Sequence, residues 1–448
     1  MEDKQRCASH LTPALEEERL QTLRTLASGG NDGPFPALWD ALGDESWRIR
    51  KEAGEIFLGL PGAGEHVGTV VQLLHAQENA GLRNAAVEIL VRLGRQAVPA
   101  LLAELSCEEA DVRKFVLDIL GAIGDSASVP AMIGSLRDPD SNVRAAAAEN
   151  LGRIGAEEAV LPLLDAMSEP DILFRYTILE ALGQIGAPIP AARLLVYRDE
   201  SLLKKALFDC LGRIGGAEAL ATLIEGLSER MANVREAALV AISNLGRSFR
   251  EEAVEALDNG GASAADSIAA FLDAPDPQLR QVAIQVLGLM GDGRFVSRLL
   301  GMLDVEDLRE AALQALIALS RRHPESLVRH WEKSDLRTRT YLAYLFGEME
   351  DSESSRVLLR KGVSSADPDL RLMCARSLGK LGDLAALPKL ISFLQDETDE
   401  MRDAVLSALV ALGTHHRDEV LESLQPLEDH ADPGLRSCRV IILGRLDG

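Results

Sequence analysis

The fold is decided by a motif that residues 143–155 show most clearly, with the sequence VRAAAAENLGRIG. Its anchor is Arg144, which follows an apolar residue and is itself followed by Leu after seven positions and by Gly after eight and eleven. The apolar positions have the spacing of one helical face and comprise Val143, Ala147, Leu151 and Ile154. The motif therefore predicts a short amphipathic helix that ends at Gly155.

The motif recurs along nearly the whole chain, and each copy has one cationic anchor. Most successive anchors stand 29 to 34 residues apart, and one interval of 45 residues separates Arg235 from Arg280. The anchors are Arg19, Arg50, Arg83, Arg113, Arg144, Arg175, Lys204, Arg235, Arg280, Arg309, Arg339, Arg371, Arg402 and Arg436. A second helical pattern precedes many copies, as in 98–105 (VPALLAEL) and 129–136 (VPAMIGSL). One such helix pair cannot bury its apolar face alone, so the pairs must stack.

These repeats predict an all-α protein, an α–α superhelix of about 13–14 two-helix repeats with a concave and a convex wall. Units that end in L-G-x-I-G, such as 143–155 and 174–186, resemble the HEAT-repeat superfamily, most closely its short bacterial repeats of the phycobilin-lyase (PBS lyase) type. The resemblance covers nearly the whole chain and implies a solenoid. Because that family includes both scaffolds and lyases that attach or remove a bilin, the resemblance leaves the function open.

The long interval between anchors predicts how the chain is divided. We expect a degenerate repeat or cap at 1–43, a first arm at 44–246, an insertion at 247–265 and a second arm at 266–448. The insertion begins with a helical pattern, which an Asn-Gly-Gly sequence breaks, so we predict an extra helix followed by a flexible loop. This insertion either bends the superhelix or is a tolerated addition at the surface.

The composition limits the classes of partner and compartment. The net charge is −23, from 70 acidic and 47 basic residues, so we expect no nucleic-acid partner and favour a basic protein segment. The five cysteines are Cys7, Cys107, Cys210, Cys374 and Cys438. Their scattered positions predict free thiols in the cytoplasm. We find neither a leader-like segment nor about 18 uninterrupted apolar residues, and therefore expect no membrane insertion.

Six acidic residues occupy the position five residues after the anchor in successive early repeats. We call these residues the acidic column, and they are Glu55, Glu88, Asp118, Glu149, Glu180 and Asp209. In HEAT-like folds the second helix lines the concave wall, so the column would bind a basic or amphipathic segment there; the alternative is a solvated polar position. Arg92, Arg153 and Arg213 each follow an acid of the column by four residues and would partly neutralise it. The other three acids lack such a partner.

Two further stretches depart from the repeat pattern. Residues 329–350 concentrate aromatic and basic side chains in a chain with only 4% aromatic residues. Because Trp, Tyr and Arg are enriched at interaction hot spots, we predict a partner-binding site there. Its residues are Trp331, Arg337, Arg339, Tyr341 and Tyr344. The alternative is that Leu342 and Phe346 are core and that the neighbouring aromatic residues fill a wider gap.

The C-terminal helix carries three adjacent apolar residues, Val440, Ile441 and Ile442, where other repeats are partly polar. An uncapped solenoid end with such residues predicts an oligomer or partner interface, such as a homodimer.

The anchor cations admit two interpretations. They could form an anion-binding ladder, or they could pair with acids just upstream of the next anchor, such as Asp138, Asp171 and Asp276. We favour the second interpretation.

The sequence offers little for catalysis. No His is followed by Glu, which excludes the His-Glu iron ligands of HEAT-like deoxyhypusine hydroxylases. The cluster of His415, His416 and Glu419 lacks a second set of ligands at metal-like spacing. We therefore predict no catalytic residue, no metal and no cofactor. The favoured function is that of a cytoplasmic bacterial adaptor, and the alternatives are a bilin-lyase activity and a structural homo-oligomer.

Overall fold

The repeat pattern folds into helices throughout the described part of the chain. The computed structural model describes residues 13–28, 35–349, 352–396 and 398–447. Every regular element in these ranges is a helix, which confirms the predicted all-α solenoid. Cys7 and parts of the predicted N-terminal repeat (1–12 and 29–34) lie outside the described residues.

The chain forms two compact units, Met1–Ala219 and Leu220–Gly448. The α-helices of the first unit are α1 (Pro13–Ser28), α2 (Phe35–Leu42), α3 (Trp47–Gly59), α4 (Val67–Gln72), α5 (Ala80–Leu93), α6 (Val98–Glu104), α7 (Ala110–Ile123), α8 (Val129–Ser135), α9 (Ser141–Ile154), α10 (Val160–Ala166), α11 (Ile172–Ile185), α12 (Ala192–Leu195) and α13 (Lys204–Ile214). Those of the second unit are α14 (Leu220–Gly226), α15 (Ala232–Ser248), α16 (Arg250–Ala269), α17 (Pro277–Met290), α18 (Val296–Met302), α19 (Glu306–Arg322), α20 (Pro324–Val328), α21 (Leu336–Glu348), α22 (Glu353–Gly362), α23 (Pro368–Lys380), α24 (Leu387–Asp396), α25 (Asp399–His415), α26 (Arg417–Leu424) and α27 (Pro433–Asp447). Short 3-10 helices occupy Ala63–His66, Leu73–His75, Gly94–Gln96, Ser126–Ser128, Glu157–Ala159, Ala217–Ala219, Ala270–Asp273, Gly293–Phe295, Trp331–Lys333, Leu384–Ala386 and Gln425–Leu427. The predicted arms and insertion stay a prediction.

From α2 onward the helices alternate between two roles. Each even-numbered helix is the first helix of a repeat, and each odd-numbered helix is the second helix and carries the anchor. Within each unit, consecutive second helices pack side by side, as α7 does with α9, α9 with α11 and α17 with α19. We call the solvent-facing side of this row the second-helix face.

The ends of α9 show how the motif specifies a helix. The Asp140 carboxylate accepts hydrogen bonds from the backbone N–H groups of Asn142 and Val143 at 2.8 and 3.2 Å, which caps the first turn. At the other end Gly155 adopts φ 73°, a left-handed conformation that favours glycine. Between the two ends, the predicted core positions Val143, Ala147 and Leu151 are buried.

The glycine eight residues after the anchor lets neighbouring second helices approach closely. A Cβ atom added at Gly152 would lie 2.7 Å from the Cα atom of Ala181 on the next second helix. In the second unit, a Cβ at Gly288 would lie 2.7 Å from the Cα of Ala315. This part of the motif is therefore a packing requirement that both units share.

The segment expected to hold a flexible loop is helical instead. α16 continues on both sides of Gly261, where φ is 59° and ψ is −149°, so the chain is kinked there. The half before the kink buries Leu257, and the half after it buries Ala265 and Ile268. These apolar residues keep the second half packed as a helix, which the Asn-Gly-Gly sequence concealed.

Candidate functional site

The anchor arginines bind the backbone of their own repeat. Arg144 Nη1 donates hydrogen bonds to the carbonyl oxygens of Asp138 and Pro139, at 2.9 and 3.2 Å, just beyond the first helix α8. The same contact with carbonyls five or six residues upstream is made by Arg50, Arg83, Arg113, Arg235, Arg280, Arg309, Arg371 and Arg436. Arg113 also forms a bidentate ion pair with Asp138 of the next repeat, in which both hydrogen bonds are 2.8 Å long. The contact that recurs is therefore with backbone carbonyls, which neither interpretation predicted, and the predicted ion pair with the next repeat forms at Arg113.

The acidic column lies on the second-helix face of the first unit. Glu55, Glu88, Glu149 and Glu180 are exposed, and Asp118 and Asp209 are half-buried. Each residue is on a different second helix, in the order α3, α5, α7, α9, α11 and α13.

The expected ion pairs between column acids and arginines four residues later do not form. Arg92 pairs with Glu55 of the preceding repeat, at 2.6 and 3.0 Å, rather than with Glu88. Asp209 pairs with Lys205, one turn before it, at 2.6 Å. The prediction was wrong because the Arg92 side chain is long enough to reach the adjacent second helix, where it forms a bidentate ion pair with a carboxylate. That contact lowers the pKa of Glu55.

Two more acids that were expected to lack a partner also have neighbours. Asp118 pairs with Lys114 at 2.9 Å and accepts a hydrogen bond from the buried Asn150 amide at 3.0 Å. Glu180 lies beside Tyr176, and partial burial together with this carboxylate raises the pKa of Tyr176. Asp118 in particular ties neighbouring repeats together, so changing it would disturb the fold.

Glu88 and Glu149 are the acids of the column that remain available. Both are exposed, and neither forms a hydrogen bond or ion pair with the residues that the structure describes. They can therefore contact a cation of a partner without giving up a contact within the repeat.

Cations are interleaved with the acidic column. They stand one helical turn before or after a column acid and are Lys51, Arg92, Lys114, Arg153, Lys205 and Arg213. The six acids thus share their face with six cations. Opposite charges at this spacing cancel at distances beyond about 10 Å. The column therefore favours short-range contacts over long-range steering.

Exposed apolar side chains beside the column were missed by sequence reasoning. Trp47 and Leu173, at the N-terminal ends of α3 and α11, are 64% and 77% exposed, and Leu202, in the turn just before α13, is 70% exposed. Leu173 and Leu202 each stand two residues before an anchor in consecutive repeats, and we call this pair the leucine rim. Other repeats carry polar residues there, such as Asp111 and Asn142. The signal in the sequence is this exchange of a polar for a large apolar residue.

A small cavity of about 180 Å³ adjoins the start of the column, between α3 and α5. Trp47, Leu58 and Ile89 supply apolar lining, and Glu55 and Glu88 supply carboxylates. Arg50, Lys51 and Arg92 line it as well, so the cavity suits an apolar side chain and has no net preference for a cation.

The aromatic stretch does not form one exposed cluster. Trp331 is only 2% exposed and stacks on Phe346, with ring centroids 5.7 Å apart. Phe346 and Leu342 are fully buried, as the alternative interpretation expected. Trp331 therefore cannot serve as a surface contact, because its ring fills the interior.

The remaining residues of that stretch are dispersed. Arg339 acts as an anchor and donates to the carbonyl oxygen of Trp331 at 2.9 Å. Arg337 is exposed and pairs with Asp304 of the preceding repeat at 3.0 Å. Tyr341 and Tyr344 are half-buried. Arg337 is thus the exposed residue of this set, and a binding role for Arg337, Tyr341 and Tyr344 stays a prediction.

The C-terminal apolar residues are divided between surface and core. Val440 and Ile441 are 65% and 41% exposed, whereas Ile442 is fully buried. Ile442 belongs to the core of α27, so an interface could involve only the other two. The homodimer stays a prediction.

The described residues contain no group of three or more His, Cys, Asp or Glu side chains that could hold a metal ion. His416 lies 3.9 Å from Glu419. Burial raises the pKa of the Cys210 and Cys374 thiols to about 12, so both are protonated at neutral pH. Among the described helices, none combines the length and apolar character needed to cross a bilayer.

Comparison with known proteins identifies the class of the chain. The model of the family described as HEAT repeats matches six overlapping segments, which are 67–151, 98–182, 130–202, 160–243, 325–410 and 356–439. Together these segments cover more than half of the sequence, so the protein belongs to the HEAT-repeat family. No curated protein matches the chain.

Solved structures match the chain at low sequence identity. A structure of Kap95p with RanGDP matches with a TM-score of 0.53 and 14% identity, covering 93% of this chain and 68% of that one. Importin beta matches with a TM-score of 0.45 and 12% identity, covering 92% and 69%. The complex of CpcE and CpcF of phycocyanin lyase from Nostoc matches with a TM-score of 0.33 and 20% identity, covering 55% and 94%. At these identities the likeness concerns the fold alone, and the first match is the one that supports it.

Proposed function

We propose that the protein is a non-catalytic scaffold that binds an amphipathic segment of another protein on the second-helix face of its first unit. The observation that carries the proposal is the leucine rim beside the acidic column. Leu173 and Glu180 are seven residues apart on α11, which places them on the same side of the helix. Leu202, in the turn that leads into α13, and Asp209 on α13 have the same sequence spacing. A segment with one apolar and one basic side would match both repeats.

The leucine rim supports binding because a monomer gains nothing from exposing these side chains. Removing one exposed leucine side chain from water contributes about 1.5–2 kcal/mol to the free energy of binding. Tyr176 is half-buried on α11, three residues after Leu173, and adds an aromatic surface next to the rim. The partner should therefore present aliphatic or aromatic residues to this part of the first unit.

The acidic column supplies the polar half of the proposed contact. Glu88 and Glu149 form no hydrogen bond or ion pair with the described residues and can each accept a cation. Because six cations share the face, a uniformly basic segment would meet repulsion as well as attraction. An amphipathic segment with a few basic residues fits better than a polybasic one.

The chemistry of the thiols favours a non-catalytic role. Cys210 and Cys374 are buried with a raised pKa and therefore make poor nucleophiles. Four free thiols occur among the described residues, and the proposal places the protein in the cytoplasm because free thiols persist in a reducing compartment.

The test is affinity capture from the native lysate with three forms of the full chain. The double variant Leu173→Glu, Leu202→Glu removes the leucine rim. Leu161→Glu is the matched control, because Leu161 is 65% exposed on the first helix α10. We expect a protein that wild type and control retain and the double variant loses. With that protein purified, the double variant should raise the Kd by roughly a hundredfold. Equal capture by all three forms would overturn the proposal.

A second pair of variants tests the acidic column. Glu149→Lys reverses an available acid, and Glu157→Lys reverses an exposed acid in the 3-10 helix before α10. We expect the first to weaken binding of the captured protein by about fivefold and the second to leave it unchanged. Glu55 and Asp118 are unsuitable for this test, because their replacement would break contacts within the fold.

A further inference from the structure

A groove on the second-helix face of the second unit has the opposite character to the acidic column. It measures about 440 Å³ and lies along α15, α17 and α19, with the start of α16 at one side. Three arginines line it, and no acidic residue does. We call it the arginine groove, and the residues that define it are Arg247, Arg250, Arg321, Gln285, Gln314 and Leu289. In a chain of net charge −23, this lining requires an explanation.

The three arginines are available for binding. Arg247, Arg250 and Arg321 are exposed, and none forms a hydrogen bond or ion pair with the described part of the chain. The adjacent Arg322 differs, because it pairs with Asp258 at 2.6 Å. Like charges that share a groove repel one another unless a counter-charge lies between them. The grouping therefore points to an anionic occupant.

The rest of the lining is apolar or amide, in contrast to the column position in the first unit. Gln285 and Gln314 stand five residues after their anchors, where earlier repeats carry acids. Ser243 Oγ donates to Gln285 Oε1 at 3.3 Å, which leaves the amide N–H groups of Gln285 free to donate. Leu289 and Ala318 contribute an apolar surface next to these amides. Such a lining can hold a peptide backbone and one aliphatic side chain.

The positions of the charges also predict how an occupant is oriented in the groove. Arg247 and Arg321 belong to the last turns of α15 and α19. Glu310 lies nearer the start of α19 and accepts a hydrogen bond from Gln314 Nε2 at 3.0 Å. An occupant would therefore place its negative charge toward the C-terminal ends of these second helices and keep it away from Glu310.

We propose that the arginine groove binds an acidic segment of a partner protein that carries an aliphatic side chain next to its carboxylates. The carboxylates would contact the three arginines, and the aliphatic side chain would cover Leu289. Guanidinium groups recognise carboxylates with two parallel hydrogen bonds. A long polyanion such as nucleic acid would be repelled by the rest of the chain, whereas a short acidic segment would not.

This inference does not depend on the proposed function of the first unit. It concerns a different unit, different residues and a partner of opposite charge. A variant that removes the leucine rim leaves the arginine groove intact, so each proposal can fail while the other holds.

The test uses the full chain and fluorescence anisotropy. The probe is a short fluorescein-labelled peptide of glutamate and leucine, and its counterpart has lysine in place of glutamate. We expect the glutamate peptide to bind wild type and the double variant Arg247→Glu, Arg321→Glu to raise the Kd by about tenfold or more. Arg230→Glu is the matched control, because Arg230 is an exposed cation of the second unit outside the groove. It should leave the Kd unchanged.

Several outcomes would overturn the inference. They are absence of binding to wild type, equal weakening by Arg230→Glu, and equally tight binding of a labelled single-stranded oligonucleotide. Gln285→Glu serves as a second variant, because Gln285 is exposed and the change adds one negative charge within the groove without touching an arginine. It should weaken the glutamate peptide and leave the circular dichroism spectrum unchanged.

Discussion

The second-helix face of α9 to α13 and that of α15 to α19 occupy equivalent places in the repeat and differ in chemistry. The first presents the leucine rim with acids and interleaved cations, and the second presents glutamines with arginines that form no ion pair with the described residues. Beneath both faces the same elements recur: anchors that bind backbone carbonyls, and glycines at the contact between second helices. The anchors and glycines thus carry the solenoid beneath both faces, and we propose that the two faces take different partners.

The largest effect is expected at the glycine contact, which both regions share. Gly152→Ala and Gly288→Ala should each lower the free energy of unfolding by about 1–3 kcal/mol, because the added Cβ would press on the backbone of the neighbouring second helix. The control is Gly134→Ala on α8, where a Cβ would meet nothing within 4 Å. Gly134→Ala should raise the free energy of unfolding by up to about 1 kcal/mol. Urea unfolding measures all three, and a large loss at only one of the two glycines would break the equivalence of the regions.

A second test separates charges that hold repeats together from charges that face solvent. Asp138→Asn should lower the free energy of unfolding by about 2 kcal/mol at neutral pH, because it disrupts the bidentate ion pair with Arg113. The hydrogen bonds from Arg113 lower the pKa of Asp138 in the folded state. This stabilisation is therefore complete above the ordinary Asp value, about 3.9, and is lost as the pH falls through the folded value. The difference between wild type and variant should shrink on acidification, and a difference that grows would contradict the assignment.

A bridge between repeats of the first unit should respond to pH in the opposite sense. His75 Nδ1 lies 2.8 Å from Glu109 and Nε2 lies 2.8 Å from Glu104. The hydrogen bond with Glu109, aided by that with Glu104, raises the pKa of His75 despite its partial burial. The stabilisation is complete below the ordinary His value, about 6.5, and is lost as the pH rises through the folded value. His75→Gln should lower the free energy of unfolding by about 1 kcal/mol near pH 6 and by less near pH 9. Thermal unfolding at the two pH values measures the difference.

The smallest effects are expected from the solvent-facing charges themselves. Glu149→Lys in the first unit and Arg247→Glu in the second should each change the free energy of unfolding by less than about 0.5 kcal/mol, because neither side chain has a partner among the described residues. Urea unfolding again provides the measurement. A loss above 1 kcal/mol for either variant would show that the charge serves the fold rather than a partner.

The fold could be predicted because its determinants are local and repeated. The buried face of α9 and the left-handed Gly155 follow directly from the motif. The helix after Gly261 was missed because Asn-Gly-Gly outweighed the alanines that follow, and only their packing shows that they are helical. Local signals therefore specify the repeat, and tertiary packing decides its exceptions.

The candidate sites were harder to predict because they depend on distances between helices. The spacing of Glu88 and Arg92 along one helix predicted an ion pair, but Arg92 reaches Glu55 on the neighbouring helix instead. Composition near Trp331 could not show that its ring is buried, which depends on the space left by Gly362. The leucine rim was accessible to sequence reasoning, because it appears once equivalent positions of successive repeats are compared.

The most direct test of the central claim, that the two regions select partners of opposite charge, is a crossed titration of two peptides against two variants. The peptides are labelled and consist of lysine and leucine or of glutamate and leucine. We predict that Leu173→Ser with Leu202→Ser, which removes the leucine rim without adding a charge, loses the lysine peptide and keeps the glutamate peptide, and that Arg247→Glu with Arg321→Glu does the reverse. The account would be contradicted if either double variant lost both peptides. It would also be contradicted if both double variants still bound both peptides.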